Sequence, residues 1–287
     1  MTTVARLAAA PYVRGLGLVV EDAAAEGVRV RVPYKDDNSN PGRALHGGVA
    51  ASTIGVAGAL AACAGSDARA GLEAGTLDLA VAYLAAAVGE DIVADGRVLR
   101  RGKEITYVDV AVRNDAGKAI AHGLVTHRAA PVGPADRSMQ WEGVEAEIER
   151  SGDLPPIARV FVSVPFIARL GVRVALAENG LATARLPFKP ENADADGAVH
   201  EGALAALVDT TGALASWSLA GPVAGAKAST VGLHVTYHAA AAGEEVLARA
   251  RTLTRRDEIF LNAVTVTGAS SGRLVAAGTV TYRIVVA

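Results

Sequence analysis

The stretch at residues 45–51, Leu-His-Gly-Gly-Val-Ala-Ala, returns at residues 199–205 as Val-His-Glu-Gly-Ala-Leu-Ala, which is 154 positions later. The same offset pairs further residues along the chain: Leu16-Gly17 with Leu170-Gly171, Lys35 with Lys189, Thr76 with Thr230, and Tyr83 with Tyr237. A constant offset over so long a stretch indicates that one unit has been duplicated. Residues that differ between the two copies should therefore indicate where the functional site lies.

Chain length and the repeat together predict two domains, at residues 1–130 and 157–287, joined by a linker at 131–156. The linker contains four prolines and a polar stretch near residues 142–150 that favours a short helix. Its composition is typical of a solvated connector.

Composition excludes several classes of function. The hydrophobic content of 51% and the charged content of 20% are those of a globular protein, and the net charge of −2 gives no field for binding nucleic acid. The single Cys63 forms no internal disulfide, which favours a reducing compartment and hence the cytoplasm, and we interpret it as a core residue rather than a nucleophile. High Ala and Gly content with Arg in excess of Lys favours a bacterial source.

No membrane segment is expected. The N-terminus lacks a basic region followed by an apolar run. The uncharged stretch 47–65 approaches the length of a membrane span, but its counterpart in the second copy contains Glu201 and Asp209. A helix that is apolar on every side can instead lie at the centre of a soluble domain.

Both copies predict the same order of elements. An opening segment (12–20 and 166–176) leads to a strand with alternating apolar residues, a polar loop, and then one long helix at 48–64 and at 202–219. Further strands follow, at 76–83, 91–99, 105–113 and 119–128 and again at 229–237, 245–253, 260–267 and 274–285. One long helix followed by antiparallel strands indicates an α+β fold.

This pattern resembles the hotdog fold, and in particular the PaaI-type acyl-CoA thioesterases. The resemblance rests on residues 40–48, Asn-Pro-Gly-Arg-Ala-Leu-His-Gly-Gly, and on residues 199–210, Val-His-Glu-Gly-Ala-Leu-Ala-Ala-Leu-Val-Asp-Thr. It extends over both copies and implies two tandem hotdog domains, each a long helix wrapped by an antiparallel sheet, paired within the chain as a pseudo-dimer. It also implies stacking into a homodimer or a larger assembly.

The resemblance further implies an active site between the two units. The thioester carbonyl would be held at the His46-Gly47-Gly48 turn, and an acidic residue on the facing helix would activate water or attack the thioester. Thr230 would orient the water. Basic residues near the strand turns would hold the phosphates of coenzyme A: Arg100, Arg101, Lys103, Arg255 and Arg256. Neither a metal nor a bound cofactor is implied.

Helix geometry independently favours a shared site. Asp209 lies nine residues beyond His200, which is roughly 13 Å along a helix axis, so it cannot easily reach the start of its own helix. It could reach the start of an antiparallel partner helix, where free N–H groups suit the oxyanion of a tetrahedral intermediate. Glycine at Gly47 and Gly48 lets a substrate approach the backbone closely.

The two copies differ at the residues that such a site needs. Asn40, His46 and Gly47 of the first copy can combine with Asp209 and Thr230 of the second. The reciprocal set has no carboxylate on the facing helix, because Gly55 stands where the second copy has Asp209; its members are Gly55, Thr76, Asp194, His200 and Glu201. We therefore expect one competent site and one degenerate site.

Each of these residues also has a structural interpretation. Asp209 could be solvated, Asn40 could simply form a turn, and Thr230 could be a strand former. His46 and His200 could fix their loops by hydrogen bonds, and the basic residues could lie on solvated hairpins. His234 and His238 alternate along a strand, which is a weak pattern for a metal site.

Three functions remain open. The sequence favours hydrolysis of an acyl-CoA thioester, with Asp209 as general base or as nucleophile. A non-catalytic acyl-CoA binder or sensor is the alternative, because one half-site has lost a residue. A hotdog hydratase is disfavoured because its pattern, an Asp and a His close together in one loop, is absent from the sequence.

Overall fold

The computed structural model describes residues 2–64, 72–131, 156–221 and 225–285. Its first repeat comprises α1 (Thr3–Ala8), α2 (Pro11–Leu16), β1 (Val19–Ala24), β2 (Gly27–Val32), α3 (Gly47–Cys63), β3 (Leu72–Tyr83), β4 (Ile92–Arg101), β5 (Ile105–Asn114) and β6 (Ala119–Pro131). A short 3-10 turn, Asp36–Asn38, precedes α3.

The second repeat has the same elements in the same order. It comprises α4 (Pro156–Ser163), α5 (Pro165–Leu170), β7 (Arg173–Glu178), β8 (Leu181–Leu186), α6 (Glu201–Ala220), β9 (Lys227–Tyr237), β10 (Val246–Arg256), β11 (Ile259–Gly268) and β12 (Leu274–Val285), with a 3-10 turn at Pro190–Asn192. The predicted α+β class and the duplication are therefore confirmed.

All twelve strands form one antiparallel sheet, in the order β1-β2-β4-β5-β6-β3-β9-β12-β11-β10-β8-β7. The repeats join where β3 pairs with β9, with Leu79 opposite Val235 and Val81 opposite Leu233. These four side chains are buried. Because alternate residues of a strand point to opposite faces, this register turns the apolar set of both strands toward the helices.

The two long helices pack against each other in antiparallel directions. An ideal Cβ built on Gly48 would lie 2.7 Å from the Cβ of Ala206, and one built on Gly202 would lie 2.8 Å from the Oγ of Ser52. Each helix also packs against the strands of its own repeat. Each helix is buried on several sides, and for this reason neither has a polar face. The absence of a polar face is expected for a helix at the centre of a domain.

Helix α6 is long and apolar enough to cross a membrane by length and composition, yet 78% of its most apolar window is buried inside the protein. That burial is typical of a core helix.

Several details differ from the sequence-based expectation, among them an additional strand, β1 or β7, before the predicted strand of each repeat. Both long helices begin one residue earlier, at Gly47 and Glu201. The opening segments contain a short helix before the strand, because Pro11 and Pro165 begin α2 and α5 and a left-handed glycine ends each helix, Gly17 with φ 78° and Gly171 with φ 77°. The polar helix expected near residues 142–150 lies outside the described residues, and the domain boundaries stay a prediction.

Candidate active site

Asp209 is the ninth residue of α6, and its carboxylate is buried rather than solvated. Its Oδ1 accepts a hydrogen bond of 2.6 Å from the Oγ1 of Thr230 on β9. Both residues belong to the second repeat. The hydrogen bond fixes the rotamer of the carboxylate and leaves Oδ2 to face the other repeat.

That oxygen lies against the start of helix α3 in the first repeat. An ideal Cβ on Gly47 would be 3.1 Å from Oδ2 of Asp209, so any side chain at Gly47 would crowd the carboxylate. The Gly48 N–H donates to the Nδ1 of His46 at 2.9 Å, whereas the Gly47 N–H has no acceptor among the described residues. A free helix N-terminal donor and a buried carboxylate thus lie next to each other, one from each repeat.

Burial raises the pKa of Asp209 from 3.8 to about 6, and the hydrogen bond from Thr230 only partly opposes this rise. A carboxylate with this pKa is ionised at neutral pH and is basic enough to take a proton from water. Both requirements suit a general base.

Tyr83 belongs to this site but was absent from the residues predicted for it. Its hydroxyl donates to the carbonyl of Gly47 at 3.1 Å, and its ring lies 3.4 Å from the ideal Cβ of that glycine. Tyr237 repeats this contact at the carbonyl of Glu201, at 3.2 Å. The signal was present in the sequence, because the repeat offset already pairs the two tyrosines.

His46 and His200 both act as helix N-caps. In each, the Nδ1 accepts a hydrogen bond of 2.9 Å from the glycine N–H two residues later. Burial lowers the pKa of both imidazoles to about 4, so they are neutral at physiological pH. The geometry therefore gives them the role of fixing the turn, which was the structural interpretation of both residues.

Asn40 forms a turn. Its backbone N–H donates to Ala44 at 2.7 Å, and its carbonyl accepts from the N–H of Arg43 at 3.2 Å. Within the described part of the chain, no hydrogen bond links Asn40 to Asp209. Its counterpart Asp194 likewise stabilises a turn, accepting from the N–H groups of Asp196 and Ala198.

The five basic residues predicted to bind coenzyme A lie at exposed strand ends. Arg101 donates to the carbonyls of Ala61, Ala62 and Ala64 at the C-terminus of α3, which stabilises that helix end. Arg255 lies 4.9 Å from the ring centre of Phe260. A role for Arg100, Arg101, Lys103, Arg255 or Arg256 in phosphate binding stays a prediction.

The second half-site has lost one carboxylate but contains another carboxyl group at a different position. Gly55 lies on α3 where α6 has Asp209, as the sequence predicts. However, the Oε1 of Glu201 accepts a hydrogen bond of 2.9 Å from the backbone N–H of Thr76. Burial raises the pKa of Glu201. This half-site therefore lacks the helix carboxylate but still contains the half-buried carboxyl group of Glu201.

The described residues contain no group of three or more His, Cys, Asp or Glu side chains placed to hold a metal ion. His234 instead contacts Asp78 across the β3–β9 seam, and His122 contacts Asp109 at 2.9 Å. These contacts are surface pairs.

Comparison with known proteins decides the family. A family model described as "Thioesterase superfamily" matches residues 42–121 and again residues 196–273. The chain belongs to the thioesterase superfamily. The two matches fall on the two repeats and include both His-x-Gly turns, so this thioesterase-superfamily chain carries the family unit twice.

A curated relative from Halobacterium salinarum, named "Putative esterase", is 38% identical over 109 residues, which are 37% of this chain and 72% of that protein. Two of the similar solved structures share the fold over 94% of the chain. A hot dog fold protein of unknown function from Alicyclobacillus acidocaldarius has a TM-score of 0.65 at 19% identity, covering 94% of this chain and 96% of its own.

The other solved structure is the acyl-CoA thioesterase II TesB2 of Mycobacterium marinum, with a TM-score of 0.60 at 16% identity, covering 94% of this chain and 96% of its own. Together these similarities establish a tandem hotdog architecture, and membership of the thioesterase superfamily supports hydrolase activity.

Proposed function

We propose that the chain hydrolyses an acyl-CoA thioester to a free acid and coenzyme A at one composite site between its repeats. The observation that carries this proposal is the position of Asp209. Its buried carboxylate lies beside the N-terminus of the helix of the other repeat, where Gly47 leaves room for a substrate.

In this proposal the helix start of the first repeat binds the thioester carbonyl, and the carboxylate of the second repeat activates water. The thioester carbonyl oxygen would accept from the Gly47 N–H, which stabilises negative charge as the tetrahedral intermediate forms. Asp209 would take a proton from water while the water oxygen bonds to the carbonyl carbon. When the carbon–sulfur bond breaks, the thiolate recovers that proton, and the products are a carboxylic acid and a thiol.

Thr230 has a positioning role in this scheme. Its hydroxyl donates to Oδ1 of Asp209, so the lone pairs of Oδ2 remain available toward Gly47. The same arrangement also permits direct attack by Oδ2 on the carbonyl carbon to give an anhydride, which water then cleaves. Hydrolysis in water enriched in ¹⁸O under single-turnover conditions identifies direct attack when water cleaves the anhydride at the Asp209 carboxyl carbon, because the product then contains an unlabelled Asp209 oxygen.

A panel of acyl-CoA thioesters, tested with the wild-type chain and with Asp209→Asn, tests the proposal. Turnover that depends on Asp209 supports hydrolysis at the composite site. Saturable binding of acyl-CoA without turnover would instead support the alternative, an acyl-CoA binder or sensor.

The pKa of Asp209 predicts the pH profile. A general base acts when deprotonated, so kcat/KM should rise as the pH increases through about 6 and become constant above about 7. The rise should be absent in the residual activity of Asp209→Asn. A wild-type profile that is flat between pH 5 and 8 would contradict a general base with this pKa.

We also propose that the chain associates at least into a homodimer. Central strands of the sheet expose apolar side chains, among them Leu77, Leu124 and Val231, each between 38% and 39% exposed. Covering such side chains favours association. Light scattering at micromolar concentration should give a mass of at least twice 29.1 kDa, and a single-chain mass would contradict the proposal.

A further inference from the structure

Each half-site contains one carboxyl group, buried in Asp209 and half-buried in Glu201, but the two come from opposite sides of the interface. In the first, Asp209 projects from the middle of α6 toward Gly47, the first residue of α3. In the second, Glu201 is itself the first residue of α6, and its partner in the middle of α3 is Gly55. The carboxyl group thus stands in the middle of a helix in the first half-site and at the start of a helix in the second, and glycine stands at the other position in each.

Both carboxyl groups nevertheless meet the same position of the repeat. Asp209 accepts from the side chain of Thr230 at 2.6 Å, and Glu201 accepts from the backbone N–H of Thr76 at 2.9 Å. Thr76 and Thr230 are equivalent under the 154-residue offset. The longer side chain of glutamate thus extends from the helix start to the place that aspartate reaches from the facing helix.

A cavity of about 100 Å³ lies beside Glu201. Its lining includes the apolar residues Val56, Ala59 and Leu79, and Gly55 leaves space where the other half-site has a side chain. The buried hydroxyl of Thr76 also lines the cavity, and it has no hydrogen-bond partner within the described part of the chain. A small space lined by apolar side chains and also by the Thr76 hydroxyl and the charged groups of Arg6, Asp194 and Glu201 suits a ligand with a short apolar part and a polar end.

We propose that this half-site is a second hydrolytic centre, with Glu201 as its carboxylate, and that it takes thioesters of short acyl groups. This inference rests on the proposed function. A volume of about 100 Å³ is smaller than the roughly 150 Å³ of an engineered cavity that binds benzene. It therefore favours an acetyl or propionyl group over long acyl chains.

The reaction at Glu201 balances as it does at Asp209. Glu201 takes a proton from water as the water oxygen bonds to the carbonyl carbon. The carbon–sulfur bond then breaks, the thiolate takes the proton from Glu201, and the short acid leaves. The Glu201 N–H, which is the first of α6 and has no acceptor among the described residues, would stabilise the oxyanion.

Hydrolysis of acetyl-CoA by four proteins tests this assignment: the wild type, Asp209→Asn, Glu201→Gln and the double variant. Asp209→Asn should keep at least a tenth of the wild-type acetyl-CoA activity, and adding Glu201→Gln should lower it by a further factor of about 10² or more. Acetyl-CoA activity as low in Asp209→Asn as in the double variant would overturn the second centre. Loss of long-chain hydrolysis in Asp209→Asn alone would leave the proposed function intact.

Binding provides a test that does not depend on turnover. Acetonyl-CoA, in which a ketone on a thioether replaces the thioester, is titrated into wild type and into Gly55→Leu by calorimetry. Because the added side chain fills the cavity, Gly55→Leu should remove one binding event per chain, and a cooperative thermal transition shows that the variant is folded. An unchanged stoichiometry in the folded variant would overturn the second site, whatever the outcome at Asp209.

Discussion

Asp209→Asn should lower kcat/KM for acyl-CoA thioesters with acyl groups longer than four carbons by about 10²–10⁴. The amide keeps the size of the side chain and can still accept from Thr230, so the packing of α6 against α3 is retained. What is lost is the ability of Oδ2 to take a proton at the face of Gly47. Steady-state assay of released thiol measures the effect.

Stability measurements separate this loss from unfolding. The folded-state pKa of Asp209, about 6, lies above its ordinary value of 3.8, so the fold favours the protonated acid. The contribution of the protonated Asp209 to the free energy of unfolding is complete below pH 3.8 and is lost as the pH rises through 6. Asparagine carries no charge, and Asp209→Asn should therefore be at least as stable as wild type at pH 7.

Two further variants complete the comparison. The exposed Asp22 on β1 is a matched control, and Asp22→Asn should leave turnover unchanged. Thr76→Ala, in the second half-site, should likewise spare the hydrolysis of long acyl groups. Long-chain activity that survives Asp209→Asn but disappears with Thr76→Ala or Asp194→Ala would show that the working site uses the other pairing of half-sites.

Gly58→Ala should destabilise the chain by about 1–3 kcal/mol, because overpacking a close-packed core has that cost. An ideal Cβ on Gly58 would lie 2.5 Å from the Cβ and from one methyl carbon of Val125, and 2.7 Å from the other methyl carbon. Val125 is fully buried on β6. Helix α3 would have to move away from its sheet, and Tm should fall by several degrees.

Gly55→Ala is the matched control in the same helix. Its added Cβ would meet only a methyl carbon of Leu79 at 3.9 Å, which is an ordinary contact. Alanine is the better helix former by about 0.5–1 kcal/mol, so this variant should be slightly more stable than wild type. Equal effects of the two substitutions on Tm would mean that helix propensity, rather than the distance to the sheet, decides which glycines are required.

Much of the site could be predicted from the sequence because duplication provides an internal comparison. The 154-residue offset aligns Asp209 with Gly55 and Glu201 with Gly47, and so shows that the two copies differ at these positions. The rise per residue of a helix excludes a contact between Asp209 and the start of its own helix. Tyr83 was missed as a site residue because a tyrosine at a strand end is common. Its contact with the Gly47 carbonyl depends on how β3 lies against α3.

The sequence by itself determined the duplication, the α+β class, the approximate helices and the candidate carboxylate, since these depend on residue spacing and local periodicity. Only the tertiary structure decided that Arg101 holds the end of α3 and that both histidines are neutral N-caps. It also decided that the carboxyl group of Glu201 occupies the second half-site. These facts arise from contacts between elements far apart in the chain, where burial and a few ångströms of separation set the protonation state and the hydrogen-bond partner.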